Sequence, residues 1–254
     1  MIESIILVLA AFLTSMLSAI IGMGGGVTLL GMMAIIIPEG FMVVALHGVI
    51  QLVSNVTRTT VYRKHLHKEI LNQFLIGAIP GLLLSAGIVY GMIKIYQVDS
   101  ASEIKIDFLK AFIGLYILWF LYLRKKGKPI HERAFLLMGV LSGIVTVFIG
   151  AAGPLIAPFF LSKDITKENI IATKAACQSI GHLGKLPIFI FMFNVNYIEE
   201  WSILLPLIIA VYFGTKFGKR MLGKLPEVIF KMLFKAVLSL ISIRLVVVEL
   251  YQLI

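Results

Sequence analysis

Runs of about 20 apolar residues recur from one end of this chain to the other, and that recurrence leaves little choice of fold. A bilayer core about 30 Å thick is crossed by roughly 20 residues of helix. In hydrocarbon every backbone N–H and C=O must be satisfied within the chain, which a helix achieves segment by segment. Eight such segments can be drawn, at roughly 4–37, 41–62, 70–93, 108–123, 134–161, 169–193, 201–218 and 228–250. The 254 residues are 14% charged, where soluble domains run near about a quarter. No soluble domain of any size fits between the segments. The expected fold class is an all-α polytopic membrane protein, with residues 1–254 forming one membrane domain.

The net charge of +10 is explained by where the bases sit. Arg63, Lys64 and Lys68 lie between the second and third segments. Arg124, Lys125, Lys126, Lys128 and Arg133 lie between the fourth and fifth, and Lys216, Lys219, Arg220, Lys224 and Lys231 between the seventh and eighth. These three loops hold more than half of the 23 Lys and Arg, the pattern of cytoplasmic loops in a multi-pass protein. The partner is therefore membrane lipid rather than nucleic acid. Cys177, the one cysteine, permits no internal disulfide. Met1 to Ser4 carry no basic residue and the first apolar run exceeds signal length, so no cleavable signal peptide is expected.

The first and fifth segments are long and interrupted. One carries Gly22-Met23-Gly24-Gly25-Gly26 and ends at Pro38; the other carries Gly150-Ala151-Ala152-Gly153-Pro154 and Pro158. Ile21 to Gly25 aligns with Ile149 to Gly153 at an offset of 128. At an offset of 127, Ala45, His47, Gln51, Asn55 and Arg58 align with Ala172, Lys174, Gln178, His182 and Lys185; Pro80 aligns with Pro206 at 126. The pattern reads as a duplication of four segments, repeat one about 1–126 and repeat two about 127–254. Eight simple crossings cannot put all three basic loops on one side. The conflict disappears if the fifth segment, and by symmetry the first, is a hairpin turning at its glycines near the midplane. Each repeat then has three crossings, the repeats are inverted, and both termini are external. Inverted repeats with broken elements characterise secondary transporters. The competing reading is a kinked fifth segment that spans, with the charge rule weakly obeyed.

His47, Gln51, Asn55 and Arg58 are spaced 4, 4 and 3 apart, and Lys174, Gln178, His182 and Lys185 repeat that spacing. Such steps place each set on one helical face, a stripe about 16 Å long. Polar groups at that depth face a partner or a cavity. One such residue reads as interhelical glue; two matching stripes read as a pathway. All 13 Asp and Glu fall in loops or near segment ends, so the pathway is lined by bases and amides and attracts an anion. Half-helices starting after the glycine breaks add N–H donors and a positive dipole end, at Val27 and Thr28 or Leu155 and Ile156. The expected site joins Gln51 and Gln178 as neutral donors to Lys185 as the compensating charge, with His182 a turn away. Gly24, Gly25, Gly26 and Gly153 contribute the broken backbone; His47, Asn55 and Arg58 complete the lining, and Lys174 acts at the cytoplasmic way in or out. His47 and His182 are the mid-span groups suited to any proton coupling. Arg244 and Lys235 read as interfacial anchors.

No enzyme motif survives inspection. Val27 replaces the last glycine of a dinucleotide fingerprint, no Gly-Lys-Ser/Thr follows the glycines, and neither a metal-ligand cluster nor a nucleophile elbow is present. No catalytic residue, cofactor or metal is expected. The glycine cluster from Ile20 to Gly26, its repeat at Gly150 to Pro154, the polar segments that follow and the chain length together resemble the TauE/SafE sulfite exporter-like family, also called the toluene sulfonate uptake permease family. That resemblance implies transport of sulfite, thiosulfate, sulfoacetate or related organosulfonates across a prokaryotic inner membrane. Direction, coupling ion and the choice between monomer and homodimer stay open. The second reading is an anion channel with the same lining; a membrane scaffold without transport is the third.

Overall fold

The computed structural model describes residues 2–37, 40–99, 115, 117–123, 133–161, 165–222, 224 and 226–252. Among them there is helix and no strand. The first segment is two helices, α1 (Ile2–Ile21) and α2 (Gly25–Ile36), followed by α3 (Gly40–Val61) and α4 (Lys68–Tyr96). The fourth segment is described only as a short helical stretch ending at Trp119–Leu123; the basic run 124–128 and His131 lie outside the described residues. The fifth segment is again two helices, α5 (Ala134–Phe148) and α6 (Gly153–Leu161). Then come α7 (Lys167–Met192), α8 (Trp201–Leu222) and α9 (Glu227–Gln252). Among the described residues four helices are long and apolar enough to cross a membrane: α1, α3, α4 and α8. Helix α7 is diluted by its polar stripe, and α2, α5 and α6 are short.

The breaks have a local cause. Gly22 and Gly24 have φ of 83° and 93°, and Gly150 has φ of 83°, the left-handed region that residues with a Cβ avoid. Helix α1 therefore stops at Ile21, and the chain folds back so closely that a Cβ on Gly25 would lie 1.8 Å from the Thr14 carbonyl oxygen.

Contacts give the direction of each helix. Ser15 meets Ser54, the Ser18 carbonyl meets Arg58 and the Ala19 carbonyl meets Tyr62, so α1 and α3 run parallel. Gly214 faces Phe12 and Gly218 faces Met16, so α8 runs with them. Gly77 faces Leu136 and Gly81 faces Val140; Gly181 faces Thr146 while Lys185 meets Gly150, so α4, α5 and α7 form a second parallel set. The sets oppose each other, because Lys185 meets Val44, His182 meets His47 and Asn169 meets His65 along α7 and α3. Since α1 and α3 are parallel, α2 returns the chain between them; α6 does the same between α5 and α7. The arms are unequal. Helix α1 has 20 residues and ends level with Tyr62, whereas α2 has 12 and starts beside Gln51.

Val140 faces Gly81 as Phe12 faces Gly214, two close approaches of the same kind. Outward faces are apolar, as lipid requires: Ile5, Leu9, Leu13 and Leu17 on α1, Leu83 and Leu84 on α4, and Phe213 and Phe217 on α8 are all exposed.

Asn169 Nδ2 donates to the His65 carbonyl at 2.7 Å, and Lys219 Nζ donates to the Val61 carbonyl at 2.6 Å. The start of α7 and the ends of α3 and α8 therefore share one basic end, while Glu199 and Glu200 sit before α8 at the other. Cysteines introduced at Lys64 and Glu168 are expected to react with an impermeant maleimide from the same side of the membrane, and one at Glu199 from the opposite side. Buried Cys177 leaves a silent background. Opposite-side labelling of the Lys64 and Glu168 positions would rule out the return through α6.

Candidate functional site

The two polar stripes face each other across the crossing of α3 and α7. His47, Gln51, Asn55 and Arg58 are buried, as are Lys174, His182 and Lys185. The His47 and His182 rings meet edge to face at 6.1 Å. Three basic side chains and two imidazoles thus occupy one buried crossing. Polar groups so placed need partners, since each buried unmade hydrogen bond costs about 1–3 kcal/mol.

The broken backbones supply those partners. Lys174 Nζ donates to the Gly22 carbonyl at 2.9 Å and to Gln178 Oε1 at 3.2 Å. Arg58 Nη1 donates to the Ser18 carbonyl at 3.3 Å and Nη2 donates to Asn55 Oδ1. Both cations sit at the C-terminal end of α1, the negative end of its dipole. His47 Nε2 donates to the Gly26 carbonyl at 2.7 Å. Lys185 Nζ donates to the Val44 carbonyl at 3.0 Å and the Gly150 carbonyl at 3.3 Å.

Between these groups lies a small chamber walled by Ser18, Met23, Gly24, Gly26, Val27, His47, Gln51, Arg58, Ala151, Gly153, Pro154, Lys174, Gln178 and His182. Its water-accessible space is about 20 Å³, room for about one water. The two half-helices begin at its wall. A Cβ on Gly26 would lie 3.1 Å from Gln51 Oε1, and one on Gly153 would lie 2.4 Å from Gln178 Nε2. Gly26 thus lies against Gln51 as Gly153 lies against Gln178. The first i to i−4 bond of α2 is Thr28 N to Gly24 O, so the amides of Gly25, Gly26 and Val27 precede the helical ladder. Helix α6 offers fewer donors there, because Pro154 has no N–H. The halves of the site contribute unequally.

Most of the residues expected from the sequence gather here: His47, Gln51, Arg58, Lys174, Gln178, His182, Gly24, Gly26 and Gly153 all line the chamber. Gly25, Asn55 and Lys185 do not. Asn55 stands behind Arg58 as its acceptor. Lys185 is 0% exposed and neither reaches the chamber nor extends toward headgroups; its ammonium is locked between α3 and the second break. Lys174, expected to act at the cytoplasmic way in or out, stands in the chamber wall. Arg244 is exposed, with its guanidinium beside Gly31 of α2.

A basin of about 700 Å³ opens at the basic end, lined by Thr60, Val61, Tyr62, Arg63, Lys64, His65, Glu168, Lys219 and Leu222. Its floor, Tyr62, was not expected from the sequence, although it extends the α3 stripe by one further step of four beyond Arg58. The Tyr62 hydroxyl donates to the Ala19 carbonyl at 3.3 Å, and Lys219 lies 5.5 Å from its ring centre. Burial, with the Glu168 charge nearby, raises the phenol above its ordinary range, so it stays a neutral donor. Basin and chamber thus lie one helical turn apart.

Among the described residues no group of His, Cys, Asp and Glu is placed to hold a metal ion. A family model described as Sulfite exporter TauE/SafE matches residues 7–245. No curated protein and no solved structure matches the chain.

Proposed function

The chain belongs to the sulfite exporter TauE/SafE family, and on that premise we propose that it is a secondary transporter carrying a small sulfur-containing anion through the chamber between α3 and α7. Membership and the four long apolar helices support a multi-pass membrane protein, and the family's members are transporters. The observation that carries the finer reading is the composition of the chamber wall: Arg58 and Lys174, two glutamine amides and two half-helix starts, with no carboxylate.

The opposed helix directions support a further element of the proposal. Helices α1, α3 and α4 correspond in order to α5, α7 and α8, and each corresponding pair runs in opposite senses. We read residues 1–126 and 127–254 as inverted repeats with the anion held where their broken segments meet, an arrangement suited to rocking about a central site. The basic end then faces the cytoplasm and the termini face outward across an inner membrane.

Counterflow tests the carrier. Proteoliposomes of the purified chain should take up radiolabelled thiosulfate or sulfite faster when preloaded with the unlabelled anion. Flux without such acceleration identifies a channel with the same lining. Flux no greater than in empty vesicles, for every sulfur anion offered, removes the transport reading.

A further inference from the structure

We infer that the chamber is a dianion site, which takes a small doubly charged oxyanion and rejects a singly charged one of the same shape. The inference rests on the transport reading above and deepens it. Arg58 and Lys174 are 3% and 2% exposed, and both stand in the chamber wall. Their hydrogen-bond acceptors are the Ser18 and Gly22 carbonyls and the Asn55 and Gln178 side chains, all neutral. Two basic side chains therefore share one chamber with no carboxylate in its wall. Buried ions are normally paired, because an unpaired one forfeits its hydration. A monoanion neutralises half of this charge; a dianion neutralises all of it.

An orphaned donor on the wall supports the same conclusion. Arg58 Nε is buried without an acceptor. An oxyanion with several oxygens offers acceptors that the protein does not. With room for about one water, the chamber must widen to take any oxyanion, and one without an organic tail asks for the least widening.

Thiosulfate and methanesulfonate make the critical comparison. Each presents an SO₃ face on a tetrahedral sulfur of similar size; a charged sulfur on one replaces a neutral methyl on the other. Calorimetry on the full chain in detergent at neutral pH should give thiosulfate the tighter binding by about tenfold or more, the usual return on one additional charged contact. Lys174→Gln should weaken thiosulfate and bring the ratio toward one, whereas Lys174→Arg should preserve it. Equal or tighter binding of methanesulfonate to the wild-type chain would overturn the inference while leaving transport intact. So would Lys174→Gln weakening both anions equally, since that is how a purely structural lysine behaves. If neither anion binds and neither crosses a vesicle, the transport reading falls and the inference with it. The wild-type ratio alone decides the matter should the variant fail to fold.

Discussion

Gly81→Leu is expected to leave little folded protein, and Gly87→Leu on the same helix to leave the fold unchanged. A Cβ on Gly81 would lie 2.2 Å from the Val140 carbonyl oxygen, and one on Gly77 would lie 1.9 Å from that of Leu136. Gly139 and Gly143 answer from α5, with Cβ positions 2.3 Å from the Phe74 carbonyl oxygen and 2.6 Å from the Leu82 amide nitrogen. Four glycines thus let two backbones touch, the usual basis of helix association in lipid, where apolar burial supplies no preference for protein over hydrocarbon. The obstacle at Gly81 is backbone, which has no rotamer to yield. The helices must separate, at a cost above the roughly 1–3 kcal/mol of ordinary overpacking. Gly87 faces open space within 4 Å, beside the exposed Leu83 and Leu84. A leucine there meets lipid and gains up to about 1 kcal/mol of helix propensity. Yield of monodisperse protein and its thermal midpoint in mild detergent measure both. Equal behaviour of the two variants would refute the seam.

Much of this arrangement was legible beforehand, for reasons that individual residues make plain. Hydrophobic runs locate helices because lipid tolerates nothing else, and the segments drawn from them agree with the described helices to within a few residues. Gly22 and Gly150 announced the breaks because only glycine accepts that backbone without strain. The spacing of 4, 4 and 3 put two stripes on two faces, and the structure turns those faces toward each other. Periodicity could not say what the tip of a long side chain reaches. Lys174 and Lys185 lie on one face of α7, yet one ammonium meets the first break and the other meets the second. Tyr62 escaped because a tyrosine at a helix end is usually an interfacial anchor; only the hydrogen bond to Ala19 shows it bridging α3 to α1.

Gly48→Leu is expected to destabilise the protein by about 3–5 kcal/mol, and Lys185→Ala in the same chain to recover most of that loss. A mid-helix glycine gives up about 1 kcal/mol relative to alanine, so its presence in α3 calls for a reason. The reason lies across the interface: a Cβ on Gly48 would stand 2.4 Å from Lys185 Cε and 3.1 Å from Nζ. The lysine tail fills the space that the missing side chain leaves. Its ammonium ends on the Val44 and Gly150 carbonyls, 5.8 Å from the Phe189 ring centre. Lys185 has no exposed surface, so a leucine at 48 forces the charge off its acceptors without offering it water. Removing the lysine removes both the clash and the stranded charge. Touching residues of this kind should couple near the upper end of the usual range, roughly 2–3 kcal/mol. Denaturant titration followed by the fluorescence of Trp119 and Trp201 measures all four corners of the cycle. Additive losses would show that the two residues do not share this space. The double variant also separates lock from ligand. Lys185 stands outside the chamber wall, so thiosulfate affinity should change by less than about the tenfold expected for losing a charged contact; a larger loss in folded double variant would return Lys185 to the anion site.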